Sequence, residues 1–184
     1  MSDRDLRIIQ ATRRKVVKRL VLLGIVLVVA GGLTLWLVLY LKNRQQNLPG
    51  VLYPEAGRRH IPVGTRGVGY NSNPPTSGEH YPHTSEWGAY REEIADGILI
   101  HNLEHGGIWI SYKPGIPEEM KQKLEGFSKK WGRKIIVVPR SANDTDIALA
   151  AWARLDTFSV AEYSDERVER FIKAHRNKGP EFVP

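Results

Sequence analysis

The chain has 184 residues, six histidines, no cysteine and a net charge of +7. That length accommodates one globular domain plus an anchor. The lack of thiols excludes cysteine-ligated zinc, iron–sulfur clusters and thiol catalysis, and with only Met1 and Met120 a methionine-rich copper site is excluded too. Residues 1–44 hold nine Lys/Arg against two Asp/Glu, and residues 45–184 hold eighteen of each sign. The basic excess is therefore a topology signal with some attraction for anionic lipid, and no basic domain remains to grip nucleic-acid phosphates.

In chain order, residues 1–19 read as a basic cytoplasmic tail. Leu20 to Leu41 follows, 22 residues without a charge. At about 1.5 Å per residue this run spans a hydrocarbon core of roughly 30 Å. Trp36 and Tyr40 stand near its far end, where amphipathic rings favour the interface. The run is longer than the apolar part of a cleaved leader and no small-residue cleavage site follows, so it reads as a retained signal-anchor. Seven Lys/Arg precede it and only Lys42 and Arg44 follow closely. The positive-inside rule then places the N-terminus in the cytoplasm and residues 63–184 outside the cell membrane, with residues 42–62 as linker.

Gly64 to Tyr90 is rich in glycine, proline, asparagine and serine, yet carries Tyr70, Tyr81, Trp87 and Tyr90. Such composition predicts a long ordered loop. Gly97 to Tyr112 contains two strand-like apolar runs, GILI and GIWISY, joined by a histidine motif. Pro117 to Trp131 predicts a helix with acidic residues first, lysines last and Met120, Leu124 and Phe127 or Ser128 inward. Lys134 to Pro139 predicts a short buried strand, and Ile147 to Asp156 alternates as a strand. Ser164 to Asn177 predicts a helix capped by Ser164, with Val168, Phe171, Ile172 and His175 inward. The expected architecture is α+β: a two-layer domain with a small, mostly antiparallel sheet and about two helices.

The chemistry concentrates in His101-Asn102-Leu103-Glu104-His105. On one helical turn, positions i, i+3 and i+4 share a face, so two imidazoles and a carboxylate converge. His80 and His83, separated by Tyr81 and Pro82 in the long loop, bring the candidate ligands to four: His80, His83, His101 and His105. Glu104 and Glu79 are carboxylate candidates for orienting the imidazoles. Nitrogen and oxygen donors without sulfur suit Zn²⁺ or Cu²⁺. The competing reading makes the same side chains a structural network that satisfies backbone groups around a sharp turn at Gly106 and Gly107. The motif also has the H-x-x-E-H form of inverted zinc peptidases, but flanking strand-like runs leave room for only about one turn. Thr76 and Ser77 lack the strand and elbow of a hydroxyl nucleophile. His60 and His175 stand alone and read as structural or exposed.

The strings YNSNPPTSGEHYP, WGAY, HNLEHGGIWISY, IIVVPR, AWARLD and HRNKGPE, over roughly residues 60–181, resemble the domain-of-unknown-function 3105 family of bacterial membrane-anchored proteins. The resemblance implies an N-terminal helical anchor and an exported domain, and no reaction. Two functions follow as expectations: a membrane-tethered metal-binding domain that is not itself an enzyme, or an accessory subunit of a membrane complex with a structural histidine network. Its partners would be the lipid bilayer and other membrane-complex subunits.

Overall fold

The computed structural model describes residues 3–181 and 183. The chain divides into two units, Met1–Asn47 and Leu48–Pro184. The first is helix α1, Asp3–Gln46, which extends the apolar run on both sides through the basic flank and residues 42–46. Within it, Arg13–Asn43 is long and apolar enough to cross a membrane. The large apolar side chains along it from Val17 to Leu41 are exposed, with Trp36 and Tyr40 stacked 5.6 Å apart.

The second unit is built on six strands: β1 (Val51–Leu52), β2 (Gly88–Ala89), β3 (Ile108–Tyr112), β4 (Ile135–Pro139), β5 (Ile147–Ala151) and β6 (Arg154–Phe158). Their spatial order is β1-β6-β5-β3-β4-β2. The β1/β6, β5/β6 and β3/β5 pairs are antiparallel, whereas β3/β4 and β2/β4 are parallel. The α+β class stands, with a sheet larger than the small one expected. Three helices accompany it: α2 (Asp96–Glu104), α3 (Glu118–Trp131) and α4 (Asp165–His175). α3 carries the chain between parallel strands β3 and β4, a connection too long for a hairpin.

Both faces of the sheet are covered, so the unit has three layers instead of two. Ile108, Ile110, Tyr112, Ile135, Val137, Ile147 and Leu149 pack with Leu124 and Phe127 of α3 and Val168, Phe171 and Ile172 of α4. The alternate residues Trp109, Ile136, Val138, Ala148 and Ala150 pack with Leu99, Ile100 and Leu103 of α2, joined by Tyr53 just after β1 and by Tyr70, Trp87 and Tyr90 of the long loop. Strands covered on both faces read as unbroken apolar runs, which is how IIVV and IWI are written.

Two predicted strands are corrected. GILI belongs to helix α2: Leu99, Ile100 and Leu103 are wholly buried, and a helix wrapped in apolar contacts has the same continuous apolar pattern as a buried strand. Asp96 opens α2 and is clamped bidentately by Arg140 at 2.9 and 2.8 Å. Ile147 to Asp156 is not one strand but the end-to-end hairpin of β5 and β6, which turns at Trp152–Ala153 with Ala153 at φ 59°. No glycine or asparagine marks that turn. Helices α3 and α4 form where expected. Ser164 caps α4 by accepting from the Arg167 amide, and Val51–Leu52, from the expected linker, adds an edge strand.

Candidate metal centre

Three segments meet at the last turn of α2. The first carries His60, whose backbone bridges in parallel to His80 of the second, through the Ile61 amide on the His80 carbonyl at 2.8 Å and the His80 amide on the Arg59 carbonyl at 3.1 Å. The third is α2 itself, which presents His101 and Glu104 one turn apart. The loop that brings His80 is firmly seated. Ser77 Oγ accepts from the Ala56 amide, the Thr76 carbonyl accepts from the Ala153 amide, and both side chains are buried. Thr76 and Ser77 are thus turn-forming groups, in keeping with the lack of a nucleophile elbow.

His60, His80, His101 and Glu104 each direct one ligand atom so that all lie within 4.8 Å of one another. His80 Nε2 is 2.9 Å from Glu104 Oε2, and His60 Nε2 is 3.9 Å from the same oxygen. The rings of His60 and His101 are nearly parallel at 5.0 Å, and His80 stands edge-on to both. His80 is 0% exposed, and His101 and Glu104 are each 6% exposed. The His60 side chain is 51% exposed, so the cluster opens to solvent there.

The far ring nitrogens are fixed by carbonyls. His80 Nδ1 lies 2.7 Å from the Gly78 carbonyl, and His101 Nδ1 lies 2.6 Å from the Tyr81 carbonyl. Such bonds set the tautomer and turn the Nε2 lone pair inward, the usual support of a metal-bound imidazole. Burial holds His101 below the usual histidine range, and the nearby His105 and His80 add to this against the Tyr81 carbonyl. A neutral imidazole is the form that ligates.

The expected residues are only partly brought together. His105 caps α2 and lies beside the first group: its Nε2 is 3.0 Å from His101 Nε2 and 3.0 Å from Glu181 Oε2. The structure does not bring His83 to the cluster; it is exposed and stacks on Tyr81 at 6.0 Å. Glu79 supports no imidazole. Its carboxylate pairs with Arg59 and accepts from the Val68 amide, and the Arg59 hydrogen bond holds its carboxyl below the usual range. His60 and Glu181 were missed by sequence reasoning. His60 reaches the site only through a bridge to a residue twenty positions away. Glu181 arrives on a tail that packs back onto α2, a contact with no local pattern.

The H-x-x-E-H motif does lie on a helix, of nine residues instead of the single turn expected, but α2 ends at Glu104. Glu104 faces His80 and His60, so its carboxylate stands among the candidate ligands.

Residues 62–183 match the model of a family described as protein of unknown function (DUF3105). The chain belongs to that family. No curated protein and no solved structure matches the chain. Family membership therefore adds no reaction, and the chemistry must be read from the cluster.

Proposed function

We propose that the chain is a membrane-tethered metal-binding protein whose domain holds one divalent ion, Zn²⁺ or Cu²⁺, through His60, His80, His101 and Glu104 outside the cytoplasmic membrane. The observation that carries this reading is the pair of acceptors facing His80. A neutral imidazole has one N–H. His80 Nδ1 meets the Gly78 carbonyl and Nε2 meets the Glu104 carboxylate. One contact therefore needs either an extra proton or a cation between the two atoms. A metal ion there takes the Nε2 lone pair and the carboxylate together, and leaves Nδ1–H to donate to Gly78.

Bonds of 2.0–2.1 Å in a tetrahedron imply donor separations of about 3.3 Å. The 2.9 and 3.9 Å separations bracket that value, and the longer one is to the half-exposed His60 ring, the least buried of the four. Three nitrogens and one oxygen are a borderline set, and Cu²⁺ outcompetes Zn²⁺ on it when both are free. The uncharged span and the basic N-terminal flank support a cytoplasmic N-terminus with the domain on the other side.

Calorimetric titration of the full chain in detergent micelles tests the reading. Zn²⁺ and Cu²⁺ should each bind at one equivalent at neutral pH and weaken toward pH 5, because the imidazoles must shed protons to ligate. His101→Ala should abolish the site. No binding tighter than millimolar would leave the cluster as a structural network, the role it would have in an accessory subunit.

A further inference from the structure

We infer that His101, His105 and Glu181 form a second metal site that excludes the first, so that one ion exchanges between a buried four-ligand position and a surface three-ligand position. This rests on the metal-binding reading above and adds to it a route for the ion.

The donor atoms of the second group also lie within 4.8 Å of one another. His105 Nε2 faces two partners at 3.0 Å, the His101 Nε2 and the Glu181 carboxylate, with a single hydrogen at most to offer. A cation among the three satisfies all of them. Exclusion follows from His101. Its Nδ1 is committed to the Tyr81 carbonyl, so the ring has one free lone pair, at Nε2. That nitrogen, 3.0 Å from His105 Nε2, is the one donor His101 can offer to either group, so it binds one ion at a time.

Glu181 is held in place by the fold. The Asn177 amide donates to the Gly106 carbonyl at 2.8 Å and the Glu181 amide to the Glu104 carbonyl at 3.1 Å. The intervening Gly179 lies so close that a Cβ there would stand 2.1 Å from the Glu104 carbonyl oxygen. The tail is thus laid over the end of α2, with its carboxylate beside His105. The two groups differ in access. The side chains of His80 and Glu104 are 0% and 8% exposed, with the inner group open at His60, 51% exposed, whereas His105 and Glu181 are 18% and 56% exposed. Three protein ligands leave a tetrahedral ion one open position, where a ligand from outside can take hold. An ion that stays on His101 Nε2 while it exchanges the inner partners for His105 and Glu181 would pass outward without being released.

Zn²⁺ titration and chelator-driven release from the full chain in micelles test this. The parent should bind one equivalent. A chain with His105→Ala and Glu181→Gln should bind one equivalent with its affinity within about threefold of the parent, but release zinc to EDTA at least tenfold more slowly. A chain with His60→Ala and Glu104→Gln should still bind one equivalent, at least tenfold more weakly, and His101→Ala should lose both sites. Should the double substitution unfold the domain by circular dichroism, zinc release from His60→Ala with and without His105→Ala and Glu181→Gln is compared, and the outer substitutions should again slow it at least tenfold. Two equivalents in the parent, no binding after loss of the inner ligands, or unchanged release after loss of the outer ones would overturn the inference while leaving the first site intact. A parent that binds no zinc would instead overturn the metal-binding reading and this inference with it.

Discussion

Glu104→Gln separates a metal ligand from a structural counter-ion, because it keeps the shape of the side chain and removes its charge. In the metal-free protein, a His80 ring with one N–H donates from Nδ1 to Gly78 across the present 2.7 Å and accepts at Nε2 from the new amide across the present 2.9 Å. A charge-assisted hydrogen bond of about 1.5–3 kcal/mol is replaced by a neutral one of about 0.5–1.5 kcal/mol, a net loss near 1 kcal/mol. With Zn²⁺ at about 100 times its dissociation constant, the parent gains about 2.7 kcal/mol. For a domain the size of Leu48–Pro184, each kcal/mol moves the melting temperature by roughly 3–4 °C, so zinc should raise it by about 8–11 °C. The variant has lost the anionic ligand and should lose most of that rise. Thermal unfolding of the full chain in micelles, followed by tryptophan fluorescence with zinc or with EDTA, reads both quantities. A variant that keeps the full zinc shift would remove Glu104 from the ligand set. A variant that loses more than about 3 kcal/mol in EDTA would show a permanent buried imidazolium deprived of its counter-ion, the signature of a structural network.

Gly179→Ala places a methyl against backbone atoms of Glu104 and Gly106 and should lower stability by about 1–3 kcal/mol in a denaturant melt; an unchanged midpoint would refute the close packing of the tail. Burial, aided by the positive charges of Arg154 and Lys178 and opposed by the Pro49 carbonyl, lowers His175 below its ordinary value of 6.5. Below that value the unfolded chain takes up a proton that the folded one resists, so the contribution of His175 is complete above pH 6.5 and is lost as the pH falls toward the folded-state value. The stability advantage of the parent over His175→Gln should therefore be largest above pH 6.5 and shrink toward pH 5, and an advantage that grew on acidification would reverse the sign. Alkaline phosphatase fused after Gly50 should be active and green fluorescent protein fused there dark; the opposite pattern would invert the proposed orientation.

The two amphipathic helices were legible because their signals are local. Ser164 caps α4, acidic residues open α3, and both bury one stripe at helical spacing. The membrane-length helix was legible for the same reason, since a run of uncharged apolar residues needs no partner to be recognised. α2 was misread because its environment is not local. Asp-Gly-Ile-Leu-Ile lies in a helix that buries Leu99 and Ile100 in the core beside the sheet and sets Gly97 against Tyr81 of the long loop, contacts that no local pattern records. The hairpin at Trp152–Ala153 hides because an alanine, and not a glycine or asparagine, takes the left-handed conformation there.

The sequence by itself determined that a divalent-ion chemistry, if present, uses nitrogen and oxygen donors, and that His101 and Glu104 share a helical face. Which other residues join them was a tertiary decision. His80 enters and His83 does not, although they are three positions apart, because the loop is stitched to residues 56–61 through His80 while the His83 ring lies outside on Tyr81. His60 and Glu181 enter from either end of the domain because a backbone bridge and a glycine-permitted close approach bring them there. Ligand geometry is set by contacts between distant segments, and spacing along the chain records only those that one helix can make alone.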